Sequence, residues 1–210
     1  MELSGPQVPV DRPSEILNIS TALGGGIDVV LGQEEATGAR WPDVVGREGR
    51  VSFAALQDAL PTFGELTVLS WHRGEPADIP REAMRAVLDA ARRGCDLVVV
   101  DLPRAVGEGA AEALSRATAT LVVVQADVRG TLAAAQTLAL LRRHTGDLRM
   151  VVREGSIEPD VIAATLGLPC AGLVPESRGL VETLDRGDPP PLGRSPLGRF
   201  CSDLLSGLTS

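Results

Sequence analysis

The sequence predicts a doubly wound α/β domain, with a mostly parallel sheet carrying helices on both faces. Three observations carry that expectation. The strand candidates at 96–101, 119–125 and 148–153 are continuous apolar runs rather than alternating ones, as in strands buried on both faces. Helix-length segments separate them, the rhythm of strand–helix–strand units in a parallel sheet. The chain of 210 residues is 44% hydrophobic but 2% aromatic, with no tyrosine. Its core is therefore built from Leu, Val, Ala and Ile, which suits helices packed on a buried sheet.

Residues 1–13, MELSGPQVPVDRP, hold three prolines and no helical or strand period, so they read as an extended arm. Residues 14–210 then form one domain of ordinary size. SEILNIS (14–20) is a short strand, LGGGIDVVLG (23–32) a glycine-rich loop entering an apolar segment, and ATGARWPDVV (36–45) a loop with one helical turn. Ser52 is an N-cap for the helix FAALQDALP, which Pro61 ends. ELTVLSW (65–71) is a strand. The clearest helix is IPREAMRAVLDAARRG: Pro80 lies near its first turn, and Met84, Val87, Leu88 and Ala91 form one apolar stripe. Arginines fill its last turn and Gly94 takes the C′ position. Strand 96–101 follows directly, then a helix at 108–116 and strand 119–125. Asp127 opens a helix over 128–144. After strand 148–153 come helix 157–166, strand 170–174, helix 178–187, a proline-rich lead DPPPLGRSP (188–196) and a final helix at 196–207. Ligands of such folds bind at the carboxyl ends of the strands, where Asp101, Ala126–Asp127, Arg153 and Pro175–Glu176 fall.

Charge narrows the function. The formal net charge is −8 and the isoelectric point is near 4.8, so no broad or specific nucleic-acid footprint is expected. All 20 basic residues are arginines. The absence of lysine excludes every mechanism in which this chain supplies one, including a receiver-like phosphoacceptor site at Asp101, which needs a lysine after a late strand. Cys95, Cys170 and Cys201 form no CxxC pair, and His72 and His144 lack partners at ligand spacing, so neither a zinc site nor a disulfide framework is expected. The N-terminus shows no apolar signal core, and no apolar run approaches the ~20 residues that span a bilayer. Trp41 and Trp71 flank loops and read as core or rim packing. In the last helix Leu197, Phe200, Leu204 and Leu208 lie near one face with Arg199 the basic residue within it, which favours docking on the domain over lying on lipid.

Four stretches taken in order resemble the MinD/ParA group of P-loop ATPases. CDLVVVDLPR (95–104) looks like the Walker B strand, with an apolar run ending in an acid. ATLVVVQADVRGTLAAAQTLALLR (119–142) resembles the next strand and helix, and GLVPESRGLVETLDRGDPP (172–190) the late strand, turn and helix. LGGGIDVVLGQEEATGARWPDVV (23–45) is similar to the CpaE/TadZ-like proteins of actinobacteria, in which DADPLGGGxDxxLG follows the second strand. The resemblance covers about residues 16–206. It implies a P-loop NTPase-like fold and a cytoplasmic, dimerising ATPase that marks a position in the cell for pilus or secretion machinery or for the division septum. Association with a membrane would be peripheral at most.

The same resemblance assigns a site. Asp101 takes the Walker B address, reaching a metal only through water and only if nucleotide binds. Gly24, Gly25, Gly26 and Asp28 fall in the glycine-rich segment, Arg153 near an adenine contact, and Pro175 and Glu176 beside the adenine. The departures weigh against hydrolysis. A phosphate loop, GxxxxGK followed by Ser or Thr, needs backbone N–H groups, a lysine and a magnesium-binding hydroxyl, and nothing here matches it. The family places that loop on a central strand upstream of the glycine-rich segment, and MELSGPQVPVDRPSEILN is too short for strand, loop and helix. The two aspartates of DAD correspond to Ile19 and Thr21, and Thr21 can bond a water but cannot act as a general base. The expectation is a homodimeric positioning or scaffold protein whose hydrolysis is lost, with no cofactor for the chain as it stands. The alternative is an N-terminally truncated copy of an active family member, with ATP and Mg2+ as cofactors once that segment is restored. Removing a central strand would then leave apolar edges and faces uncovered.

Overall fold

The computed structural model describes residues 15–21, 27–32, 35–46, 52–71, 78–190 and 193–209. The expected arm at 1–13, Gly24, Gly25, Gly26 and His72 lie outside the described residues. The chain runs β1 (Ile16–Ser20), α1 (Ile27–Val30), α2 (Trp41–Val45), α3 (Phe53–Ala59), β2 (Thr62–Phe63), β3 (Leu66–Leu69), α4 (Arg81–Ala91) and β4 (Leu97–Asp101). It continues through α5 (Glu108–Arg116), β5 (Thr120–Gln125), α6 (Val128–Leu141), β6 (Leu148–Arg153), α7 (Pro159–Leu166), β7 (Cys170–Val174), α8 (Leu180–Asp185) and α9 (Pro196–Thr209). From β3 to α8 strands and helices alternate as the apolar runs require, and the fold is α/β with mostly parallel strands. The hydrogen-bonded order is β2-β3-β1-β4 in one sheet and β5-β6-β7 in another. All pairings are parallel except β2 with β3, a two-residue ribbon (Thr62↔Thr67) absent from the sequence expectation.

Each sheet has its own apolar core. Leu17, Ile19 and Leu69 pack with Trp41, Leu56 and the α4 stripe, in which Met84, Val87, Leu88 and Ala91 are all buried. Val122, Val124, Met150 and Val152 pack with Leu138 of α6 and Ile162 of α7. Helix α5 touches both, through Ala113 on the first and Leu114 on the second, and Leu102 lies against both. The continuous apolar runs had implied burial on both faces. Instead Val99 of β4 is 42% exposed and Val123 of β5 is 63% exposed.

Local chemistry sets the helix ends. Ser52 accepts from Ala55 N–H at 3.2 Å, and Asp127 accepts from Gly130 N–H at 2.6 Å, so both expected N-caps form. Gly94 departs from its expected role. Helix α4 closes through right-handed Arg92, and what requires a glycine at 94 is the Phe53 ring, which a Cβ there would strike. The left-handed cap occurs at Gly167, φ 61°, after α7. Helices α6, α7 and α8 are each shorter than the sequence suggested, since residues 142–144, 157–158, 178–179 and 186–187 lie outside them. Helix α9 docks on β7 as expected: Phe200 lies so close to Gly172 that a Cβ there would stand 2.9 Å from its ring.

Candidate functional site

The parallel register of β1 with β4 matches Ser20 to Asp101, which brings their side chains to one carboxyl edge. Ser20 Oγ donates to Asp101 Oδ2 at 3.2 Å. Thr21 donates twice to the Asp101 carbonyl, from its N–H at 2.9 Å and from Oγ1 at 2.7 Å. Ser20 is fully buried and Thr21 nearly so, whereas Asp101 is exposed. An open carboxylate therefore stands on a rigid base of buried hydroxyls. It does not cap the next helix, whose N-cap is Gly107 with no side-chain bond.

The RWPD stretch builds this base from below. Arg40 N–H donates to Asp43 Oδ2 at 2.8 Å, a capping arrangement that starts α2. That turn buries Trp41 completely and points its Nε1–H at the Ser20 carbonyl, 3.0 Å away. The Trp41 N–H also reaches the Ser70 carbonyl at 3.0 Å. One residue thus ties the ends of β1 and β3 together, through its indole and its backbone N–H. Thr21, aligned by resemblance with an acid, directs both its hydroxyl and its N–H to the Asp101 carbonyl. Ser20 and the Trp41 bond escaped the sequence reading, since only the pairing register brings Ser20 to Asp101.

The other expected residues divide between elements. Asp28 is half-buried in α1. Arg153 is exposed at the end of β6, beside Gln125 of β5. Gln125 Nε2 donates to the Glu154 carbonyl at 2.7 Å, and the Ala126 carbonyl receives Ser156 and Ile157 N–H at 2.8 and 3.0 Å. These bonds tighten the second sheet's carboxyl edge. Pro175 and Glu176 follow β7, half-buried and exposed respectively. Asp101 with its hydroxyls belongs to the first sheet, and Arg153, Pro175 and Glu176 to the second.

A magnesium nucleotide needs phosphate counter-charge and several oxygen ligands or ordered waters. At the Asp101 edge the described residues offer one carboxylate and the Ser20 hydroxyl beside it. No group of three or more His, Cys, Asp or Glu able to hold a metal occurs among them. These residues alone do not fit such a cofactor, and no chemical step is assigned to them.

Away from this edge, Glu112 of α5 is 5% exposed. It accepts from Arg116 Nε at 2.7 Å and Arg85 Nε at 3.1 Å, and Arg116 Nη1 also meets Asp89 at 2.6 Å. Burial alone would raise the Glu112 carboxyl, but the two guanidinium hydrogen bonds outweigh it and hold it below its usual 4.5. Burial pushes the Cys95 thiol up to about 11, assisted by Glu15 and Asp96. Neither cluster reaches the carboxyl edge. Among the described residues no helix is long and apolar enough to cross a membrane.

No protein-family model matches the chain. An uncharacterized protein of Mycobacterium tuberculosis is 35% identical over 166 residues, spanning 78% of this chain and 47% of that protein. A chloroplastic septum site-determining MinD homologue of Arabidopsis thaliana is 23% identical over 187 residues, 81% of this chain and 57% of its own length. The chain thus spans about half the length of the curated relatives it matches. Among solved structures, MinD in the MinC:MinD cell division protein complex of Aquifex aeolicus aligns with a TM-score of 0.75 at 25% identity, over 93% of this chain and 84% of that one. A ParA family ATPase from Chlorobium tepidum gives 0.76 at 16% identity, over 95% and 86%. The chain has the MinD/ParA-type P-loop ATPase fold.

Proposed function

We propose that this chain is a CpaE/TadZ-like positioning protein, working through protein contacts at pilus, secretion or division machinery, with no ATP hydrolysis of its own. The observation behind this reading is the Asp101 edge. Its carboxylate is presented on Ser20 and Thr21, but the sequence has no lysine and no phosphate loop. A MinD/ParA-type role in cell positioning is supported by the MinD relatives and by the fold shared with MinD and ParA proteins. The MinD of Aquifex aeolicus is found in complex with MinC, and protein partners, with self-association as a homodimer, are proposed here by analogy. The site would be peripheral to a membrane at most and cytoplasmic.

A second reading is favoured by the break between β4 and β5. The chain would then be part of an ATPase whose phosphate-loop segment lies elsewhere, and ATP and Mg2+ would be its cofactors. Calorimetric titration of the 210-residue chain with MgATP, together with a phosphate-release assay, tests the first reading. No binding at micromolar nucleotide and no release above buffer are expected. Micromolar binding by this chain alone would refute it.

A further inference from the structure

We propose that Arg40 is the charged post of a binding site for a small oxyanion, phosphate or carboxylate, in the loop that leads into α2. The site is separate from the Asp101 edge and does not depend on the positioning role proposed above.

A buried charge without a counter-charge marks the place. Among the described residues two ionisable side chains of opposite sign, Glu112 and Arg40, are buried. Glu112 is met by Arg85 and Arg116. Arg40 is 8% exposed, and no ion pair among the described residues includes it. A guanidinium carries five N–H donors and keeps its charge in any protein environment. Of those five, Nη2–H donates to the Ala36 carbonyl at 2.9 Å and Nη1–H to the Ala39 carbonyl at 3.4 Å, and the remaining three meet no acceptor among the described residues. A buried cation in that state carries a large desolvation penalty, which an anion within hydrogen-bond reach offsets.

The loop holds the base of that side chain still. Ala39 N–H reaches the Ala59 carbonyl at 2.8 Å and Trp41 N–H the Ser70 carbonyl at 3.0 Å, so Arg40 is pinned on both sides. Its own N–H is taken by Asp43. Gly38, φ 146°, passes so close to Pro61 that a Cβ there would stand 2.7 Å from the proline ring. A fork on a fixed backbone loses less freedom on binding an anion than one on a mobile loop.

The contact with β3 adds two more donors. Ser70 is 1% exposed and its Oγ has no partner. The next residue, Trp71, holds a buried Nε1–H with none either. An indole N–H donates and never accepts, so it shares with Arg40 the need for an acceptor, and the Ser70 hydroxyl is free to donate to the same ion. Strand β1 stands between β3 and β4, which sets this place two strand spacings, about 10 Å, from the negative charge of Asp101.

Charge and size define the occupant. A chain of net charge −8 repels anions from its surface in general, so an anion at Arg40 is held by the site itself. The slight exposure of Arg40 admits an ion of a few atoms and not a polypeptide. Phosphate and carboxylate both offer the paired oxygens that fit an arginine fork.

The test is nuclear magnetic resonance of the 210-residue chain, titrated with sodium phosphate and separately with sodium acetate, with sodium chloride holding the ionic strength constant. The Arg40 amide and the Trp71 indole signal should shift together and saturate, while the Trp41 indole, already bonded to Ser20, stays in place. At free ion ten times its fitted Kd, the unfolding equilibrium constant should fall about elevenfold. Arg40→Met should abolish saturation. Should that variant fail to fold, Arg40→Lys keeps the charge without the fork and should raise Kd several-fold. Saturation by either ion supports the site, and the tighter of the two names its ligand as phosphate or carboxylate. Three results would overturn the proposal. Saturation by neither ion leaves Arg40 as a tie for the Ala36 and Ala39 carbonyls. Binding by Arg40→Lys as tight as by the native chain removes the fork from recognition. Stabilisation that grows without saturating is the general effect of excluded salts.

Discussion

Replacing each tryptophan by phenylalanine isolates the bond that fixes the Asp101 edge. Trp41 is fully buried and its Nε1–H meets the Ser20 carbonyl at 3.0 Å. Trp41→Phe keeps an aromatic ring but removes about 40 Å3, worth about 1 kcal/mol at ~24 cal/mol per Å3. It also leaves a buried carbonyl without its donor, costing about 1–3 kcal/mol. The total of about 2–4 kcal/mol is a large share of the ~5–15 kcal/mol that holds a domain together. For a chain of this length it corresponds to a fall in Tm of about 4–16 °C. Trp71 is the control: it is half-buried, and its Nε1 is buried with no partner among the described residues. Trp71→Phe therefore loses ring volume but no hydrogen bond, and discards an unpaired donor. Urea unfolding followed by far-ultraviolet circular dichroism should show Trp41→Phe as the costlier change by about 1–3 kcal/mol. Equal losses would refute the claim that the indole bond holds the end of β1.

Two further outcomes follow from titrating groups. Glu112 is held below its usual 4.5 in the folded chain, so it binds a proton more readily when unfolded. Its contribution is present above pH 4.5 and is lost as pH falls through the lowered folded value. Glu112→Gln should flatten that acid limb in stability measured against pH, and at neutral pH cost about 1–3 kcal/mol for charged hydrogen bonds lost; an unchanged acid limb would count against the Arg85–Glu112–Arg116 assignment. Cys95, raised to about 11, stays a neutral thiol at neutral and mildly basic pH. With iodoacetamide at pH 8 it should react roughly 100-fold more slowly than an ordinary exposed thiol. Peptide mapping should find Cys170, which is exposed, labelled first, and early labelling of Cys95 would contradict its burial.

Periodicity and punctuation made most elements legible. The α4 stripe, the Ser52 and Asp127 caps and the apolar runs of β4, β5 and β6 depend on neighbours a few residues away, and they occur where those neighbours put them. Gly94 shows where such reasoning stops: its glycine answers to Phe53, distant in sequence, and not to the end of its own helix. The candidate site divides along the same line. Asp101 was visible as an acid ending an apolar run, and the missing lysine was plain from composition. Ser20 was not visible as its partner, because 81 residues separate them and only the β1–β4 register brings them together. By itself, the sequence determined an α/β chain with an acid at a strand's carboxyl end and no lysine to accompany it, since composition and short-range periodicity are written residue by residue. The tertiary structure decided what holds that acid, and that the ladders stop on either side of a break between β4 and β5. Pairing joins backbones that are remote in sequence, and which edges find partners is a property of the packed sheet.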